Sequence, residues 1–362
     1  MKIFKVGGYV RDKLLGIPPK DCDYVVIGAT IQKMLELGFI QVGKSFPVFL
    51  HPITHEEYAL ARSEKKSGYG YHGFDIDTSP EISLEEDLSR RDLTINAIAE
   101  DETGNIIDPY GGISDLRLRK LRHVSSAFKD DPLRILRIAR FAATLNFSVA
   151  EETMHLLLQM AETKEGQYIA RERIVHELKL ALAGNYSQNF FDVLAKSNNL
   201  AVFFPGLENI NNDFCSIIAN TTDILQKYTL LAINLPHIES VITQVALESK
   251  LKEYLKYTQT IYHKLDINLD ETGILQILKM THAPRNLDNF KTIVDNLIWY
   301  VEIIKGKSSA PPWLYCMNNI ANALAAIPTH ELINKSMDKH DIIKVITHWQ
   351  LQTIQQIRDC KC

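Results

Sequence analysis

The first hundred residues alternate short apolar runs with glycine and proline breaks, whereas apolar positions after residue 132 recur every three to four residues. The first rhythm belongs to strands and tight turns, the second to amphipathic helices. Lys2 to Val6 is short and β-prone, and Gly7-Gly8 turns the chain. Tyr24-Val25-Val26-Ile27, stopped by Gly28, predicts a buried strand. Thr30 to Leu37 predicts a helix with Thr30 as N-cap and Gly38 as its stop. Pro47 to Leu50 and Glu57 to Arg62 predict two more strands. The segment from Lys65 to Pro80, KKSGYGYHGFDIDTSP, has glycines and aromatics without a period and predicts a long mobile loop.

Leu84 to Leu88 is acidic and helical, Leu93 to Ala99 is apolar, and Asp108-Pro109-Tyr110-Gly111-Gly112 is a strong turn. Beyond Pro132 nearly every segment reads as helix. In Arg171 to Ala183, Ile174, Leu178 and Ala181 fall at helical spacing before Gly184. Pro205-Gly206 marks a boundary, and 207–362 continues as helices rich in Leu, Ile and Lys. The plan is an α/β head followed by an all-helical body and tail.

Composition narrows the class. At 46% apolar and 23% charged over 362 residues, the chain is globular and long enough for two or three modules. It has no run of eighteen apolar residues to span a membrane and no signal-peptide pattern at Met1 to Val6. Cys22, Cys215, Cys316, Cys360 and Cys362 are scattered without a CxxC pair, which predicts no zinc site and a reduced, cytoplasmic setting. The net charge of −4 hides a basic stretch, Arg117 to Arg140, with eight Lys/Arg against Asp130 and Asp131. Such a stripe suits a polyanion or, on its own, a solvated helix face.

Asp21-Cys22-Asp23 precedes the apolar strand. In extended chain, Asp21 and Asp23 share a face and Cys22 points away. Two such carboxylates repel unless a cation joins them. Mg²⁺ takes hard oxygen ligands, and paired ions activate an attacking oxygen and a leaving phosphate together. Just upstream, in Val6-Gly7-Gly8-Tyr9-Val10-Arg11-Asp12, the glycines let backbone N–H groups approach a phosphate at a helix start, and Arg11 can close on it. Glu57 is a candidate third carboxylate, with Glu56 as its competitor. In Arg90-Arg91-Asp92-Leu93-Thr94-Ile95-Asn96, paired arginines before an apolar segment are costly to bury without an anion. Arg91 suits a phosphate, and Asp92 and Asn96 a ribose hydroxyl; pairing of one arginine with Glu86 or Asp87 is the plainer account.

In Asp130-Asp131-Pro132-Leu133-Arg134-Ile135-Leu136-Arg137-Ile138-Ala139-Arg140-Phe141, Pro132 suits the first helical position and Asp131 the N-cap. Arg134, Arg137 and Arg140 recur every three residues on one slowly turning face, with Leu133, Leu136 and Phe141 for the other. Three stacked like charges repel, which favours a polyanionic ligand along them.

These motifs, GGYVRD, DCD, RRDLTINA, DPYGG and DDPLRILRIARF, resemble in order and spacing those of class II tRNA nucleotidyltransferases, the CCA-adding enzymes. The stretch KSFPVFLHPITHEEYALARSEKKSGYGYHGF is similar to the bacterial CCA-adding branch rather than to bacterial poly(A) polymerase, and the likeness covers roughly residues 1–200. The resemblance implies an α+β fold: a nucleotidyltransferase head of the DNA polymerase beta type, a mixed sheet with helices, then all-α neck, body and tail. On this chain the head and the start of the template helix would span 1–140, the helical neck and body 141–206, and the tRNA-binding body and tail 207–362. It implies Mg²⁺ on Asp21 and Asp23, with Glu57 as third carboxylate. It places Gly8 and Arg11 on the triphosphate, Arg91, Arg137 and Arg140 on the nucleotide, and Asp131 and Arg134 on the incoming base. The implied partners are CTP, ATP and the acceptor end of tRNA, for a protein off the membrane and monomeric. The template motif begins Asp130-Asp131 where the family usually has Glu-Asp. The HD phosphohydrolase domain of many relatives is expected to be absent, with His340-Asp341 read as surface.

The chemistry of base choice follows. Cytosine and adenine each offer an amino donor beside a ring-nitrogen acceptor; guanine and uracil show the reverse. A carboxylate next to a guanidinium, here Asp131 and Arg134, matches the first pair and leaves polar groups unpaired against the second. Competing readings are a partial CC- or A-adding enzyme, a poly(A) polymerase, or an inactive RNA-binding relative.

Overall fold

Val25 and Val26 explain why the second strand is an unbroken apolar run. The two point into different cores on opposite faces of one sheet, Val25 with Phe4, Val6, Leu88 and Ala97, and Val26 with Met34, Phe49, Tyr58 and Leu60. Each fully buried valine contributes roughly 1.5–3 kcal/mol. The computed structural model describes residues 1–42, 47–66, 74–207, 212–235, 247–328, 332 and 337–360. It divides into two units, Met1–Glu208 and Asn209–Cys362.

In the first unit, β1 (Lys2–Val6), α1 (Gly8–Leu14), β2 (Asp23–Ile27), α2 (Ile31–Glu36), β3 (Ile40–Gln41), β4 (Val48–Leu50) and β5 (Glu57–Leu60) come first. They are followed by a hairpin, β6 (Ser63–Lys66) and β7 (Phe74–Asp77), then α3 (Leu84–Ser89), β8 (Ala99–Glu100) and β9 (Ile106–Ile107). The main sheet runs β3-β4-β5-β2-β1-β8-β9, and β2 pairs parallel with β5 but antiparallel with β1, so the sheet is mixed. After it come α4 (Gly112–Leu118), β10 (Lys120–Leu121), α5 (Leu133–Leu145), β11 (Ser148–Val149), α6 (Glu151–Thr163), α7 (Arg171–Ala183), α8 (Gln188–Lys196) and α9 (Leu200–Phe203).

Local chemistry sets several boundaries. The Thr30 hydroxyl accepts from the Lys33 N–H, and Ser83 and Glu86 form a reciprocal capping box on α3. Gly7 sits at φ 68°, ψ −129°, a conformation that only glycine takes readily, and this directs α1 away from β1. The Asp108 carboxylate accepts from the Gly112 and Ile113 N–H groups at 2.7 and 2.9 Å, so the expected turn also starts α4.

The second unit is helical throughout its described residues: 212–220, 224–234, 249–262, 271–280, 287–305, 312–325 and 339–359. Tyr254 ties three of these helices together through Thr229 at 2.7 Å and Asn296 at 2.8 Å. His340 and Asp341 are exposed in the first turn of the last helix. Among the described residues no helix is long and apolar enough to cross a membrane.

Three expectations need correction. The segment 65–80 is not loop throughout: β6 and β7 pair from Ser63↔Asp77 to Lys66↔Phe74, and the rest of that segment's core, 67–73, lies outside the described residues. The hairpin escaped notice because it stands apart from the main sheet and so carries no alternating core pattern. Cys316 is disulfide-bonded, whereas Cys22, Cys215 and Cys360 are thiols, so a wholly reduced set does not hold; sequence spacing carries no information on which sulfurs approach in space. Phe141 does not face away from the arginines: the Arg140 guanidinium lies 4.0 Å from its ring centroid, with Arg137 and Arg11 at 5.8 and 5.2 Å.

Candidate active site

A cavity of about 750 Å³ opens between the sheet and α5 and α7. Gly7, Gly8, Arg11, Asp23, Glu57, Arg91, Asp131, Arg134, Arg137 and Arg140 all line it. Asp21 is exposed and does not line it.

The carboxylates come from adjacent strands. Asp23 and Glu57 are register partners on β2 and β5. Asp21 precedes β2 rather than lying in it, yet the alternation holds: the charge of Asp21 acts on Asp23, while the Cys22 thiol meets Tyr24 on the other side. Burial raises the Asp23 carboxyl above its ordinary value, Arg91 opposes the shift, and Asp21 adds to it. Glu56 faces away, accepting from the Tyr24 hydroxyl at 3.3 Å, so of the two glutamates it is Glu57 that lines the cavity. Asp21, Asp23 and Glu57 have no hydrogen-bond or ion-pair partner among the described residues, and no three His, Cys, Asp or Glu side chains there form a ready-made metal cage. Hard oxygen donors too few to enclose an ion fit a hard divalent cation that keeps several waters and binds through one or two carboxylates.

A basic side of the cavity is built on Arg11 and Arg91. Arg11 donates to the Asp12 carboxylate at 2.8 Å and to Asn96 Oδ1 at 2.8 Å. Arg90 and Arg91 share Asp87, which is fully buried: Arg90 Nη2 meets Oδ1 at 2.6 Å and Arg91 Nη2 meets Oδ2 at 3.3 Å. Pairing with Asp87 therefore holds for both arginines, not one. Yet Arg91 Nε is buried with no hydrogen-bond partner, an N–H available to a ligand. A Cβ on Gly7 would lie 3.1 Å from Arg91 Nη1, so the glycine also makes room for this side chain.

Asp92 and Asn96 serve the protein's own arginines. Asp92 accepts from Arg137 Nε at 2.8 Å, from Asn96 Nδ2 at 3.0 Å and from the Leu93 N–H at 2.8 Å. Its burial would raise the carboxyl, but Arg137 and these hydrogen bonds hold it far below the usual carboxylate range. The chain Arg137–Asp92–Asn96–Arg11 thus links opposite walls of the cavity.

The arginine row is also more fully partnered than its spacing implies. Glu177 of α7, 4% exposed, meets Arg140 Nε at 2.5 Å and Arg137 Nη1 at 3.8 Å. Like-charge repulsion along α5 is therefore offset by Asp92 and Glu177 without any ligand. Asp131 behaves partly as the cap expected, accepting from the Leu133 N–H at 3.0 Å, while its other oxygen meets Arg173 of α7 at 3.5 Å. Arg134 donates to the Ala127 and Arg90 carbonyls at 3.0 and 2.5 Å rather than to Asp131.

Arg173, Glu177, Arg62 and Glu64 are cavity or arginine partners that sequence reasoning missed. Glu177 had left a signal: it sits among Ile174, Leu178 and Ala181 on the buried stripe of α7, where a lone acid demands a partner.

Residues 3–122 match the family described as the poly A polymerase head domain, and residues 146–211 match one described as a probable RNA and SrmB-binding site of polymerase A. The first third of the chain thus carries that head domain. The chain is 55% identical over 211 residues to the Multifunctional CCA protein of Methylobacillus flagellatus, a stretch that is 58% of this chain and 51% of the relative. The chain thus spans about half the length of that curated relative. In fold it is similar to the Bacillus stearothermophilus CCA-adding enzyme in complex with CTP, at TM-score 0.65 and 23% identity over 99% of this chain and 87% of the other. It is also similar to a CCA-adding enzyme with ATP, at TM-score 0.65 and 21% identity over 98% and 86%.

Proposed function

We propose that the protein is a CCA-adding tRNA nucleotidyltransferase. It extends or restores the 3′ end of tRNA from CTP and ATP without a nucleic-acid template and releases pyrophosphate. The observation that carries this is one cavity in which carboxylates on β2 and β5, without a partner among the described residues, face arginines from α1, α5 and the segment after α3. The sequence identity to a CCA protein and the fold shared with CCA-adding enzymes point the same way.

Asp21, Asp23 and Glu57 would hold Mg²⁺, which when bound lowers the pKa of the attacking 3′-hydroxyl and neutralises the triphosphate. Gly8, Arg11 and Arg91 hold the triphosphate so that its α-phosphate faces that hydroxyl, and the buried Arg91 Nε supplies one unused donor. Arg137 and Arg140 keep the nucleotide wall positive. Asp131 accepts the amino group of C or A while Arg134 faces the ring nitrogen, and both turn away G and U. In this reading residues 1–140 carry chemistry, 141–206 support the template helix, and 207–362 hold the tRNA acceptor arm of a monomeric, cytoplasmic enzyme.

The test is incubation of the full chain with Mg²⁺, tRNA lacking its end and each nucleotide separately, followed by sequencing of the product. Two C residues from CTP, then one A once ATP is present, are expected. Runs of A, C without A, A only after a preformed CC end, or no incorporation would each replace the proposal by one of its competitors.

A further inference from the structure

Arg134 is the base-reading group whose position depends most on other parts of the head. Its guanidinium hangs on two backbone carbonyls, Ala127 and Arg90. The Arg90 carbonyl can serve only where the Arg90 side chain allows it. That side chain is fixed at three points: Asp87 Oδ1 at 2.6 Å, the Arg62 carbonyl at 3.1 Å and Glu64 Oε1 at 3.0 Å.

Of the two acids in this set, Asp87 comes from α3 and Glu64 from the β6–β7 hairpin. It lies in β6, and its Oε1 takes both Arg90 Nη1 and Arg62 Nε, the latter at 2.8 Å. Its side chain is 14% exposed and lines the cavity. Burial disfavours the charged form of Arg62, and the nearby charge of Arg90 adds to that effect. Glu64 sits between them and offsets that repulsion. Without its charge, Arg90 would keep Asp87, which it shares with Arg91. The charge of Glu64 also acts on Arg134 itself.

We propose that Glu64 is a positioning residue for base selection: by holding Arg90 against Arg62, it fixes the backbone carbonyl that aims the Arg134 guanidinium at the incoming base. This rests on the CCA-adding reading. Neutralising Glu64 releases Arg90, the carbonyl shifts, and Arg134 meets the ring nitrogen out of line. Selection then weakens while the carboxylates and the Arg11–Arg91 side stay in place.

The experiment measures kcat/KM for CTP, ATP, UTP and GTP on tRNA lacking its end, with the full chain and Glu64→Gln. The ratio of UTP to CTP use is expected to rise about tenfold, the order that one misaligned charged hydrogen bond costs. In an Arg134→Met background, where the reader is gone, Glu64→Gln is expected to change the ratio no further. If Glu64→Gln does not fold, Glu64→Asp keeps the charge on a stem too short to reach both arginines and shifts the ratio in the same direction by less. A folded Glu64 variant with the parent's ratio, or additive effects with Arg134→Met, overturns the assignment. A parent that uses neither CTP nor ATP overturns the function instead, and the two failures are told apart by that control.

Discussion

On β2 and β5, Asp23 and Glu57 stand side by side with no hydrogen-bond or ion-pair partner among the described residues, while on α5 every arginine of the row is held by a protein oxygen: Arg134 by two carbonyls, Arg137 by Asp92, Arg140 by Glu177. Both surfaces border the same cavity. The carboxylate edge is left short of positive charge, which suits a cation that arrives and leaves with the substrate. The arginine face is fixed by the protein's own oxygens, so under the proposed function its donors would need little reorganisation when a triphosphate arrives. The repulsion on one side is left standing, and on the other it is offset by the fold itself.

The largest effect follows from removing a carboxylate that has no hydrogen-bond or ion-pair partner among the described residues. Asp23→Asn is expected to lower C and A incorporation by about 10³-fold or more. Its thermal midpoint should hold or rise, because the repulsion with Asp21 and the burial of a charge both disappear. Nucleotide incorporation and calorimetry on the same sample check this; near-normal turnover would remove the metal role, and a sharp drop in stability would show that Asp23 has a structural partner after all.

Asp92 should behave in the opposite way, as a carboxylate the fold depends on. Asp92→Asn keeps the shape but removes the charge that Arg137 and Asn96 share, at a cost of about 3 kcal/mol near neutral pH. The pH dependence has a definite sign. The folded carboxyl is held far below its unfolded value, so its stabilisation is complete above the ordinary carboxylate range and lost only as pH falls toward the folded value. The gap in stability between parent and variant should therefore persist through mild acid and close only in strong acid. A gap that closes near pH 4, the ordinary carboxylate range, would mean that Asp92 is not held by Arg137.

How much of this was legible follows the same division. The carboxylates and glycines could be read because strand alternation and turn chemistry are local: Asp21 against Cys22, the turn at Gly7-Gly8, and Thr30 as a cap. The partners of the arginines could not, because they come from elsewhere in the chain. Glu177 lies 37 residues from Arg140, Asp92 lies 45 from Arg137, and the Arg90 carbonyl lies 44 from Arg134. A three-residue spacing shows which side chains share a face, but not which acids another helix brings to it. That is why the row looked as if it required a ligand, and why Phe141, beneath three guanidinium groups, was assigned to the wrong side.

Asp131 lies on the border between the two surfaces, since it both caps a helix and faces the cavity. Its Oδ1 accepts from the Leu133 N–H and its Oδ2 meets Arg173 at 3.5 Å, a weak contact that an amino group of C or A would replace. Asp131→Ser keeps an oxygen for the Leu133 N–H and gives up the oxygen facing Arg173. If Asp131 were a cap and no more, this variant would lose a few tenths of a kcal/mol and select C and A as before. If Asp131 reads the base, loss of the carboxylate removes the acceptor for the amino group and also the oxygen that repels the carbonyl of U or G. The fraction of U and G misincorporated should then rise by about tenfold while the metal-dependent step keeps its pH profile and Mg²⁺ requirement. Sequencing of products from mixed nucleotide pools gives the ratio directly. A folded Asp131→Ser enzyme with the parent's fidelity would reduce Asp131 to the capping residue that its place before Pro132 first suggested.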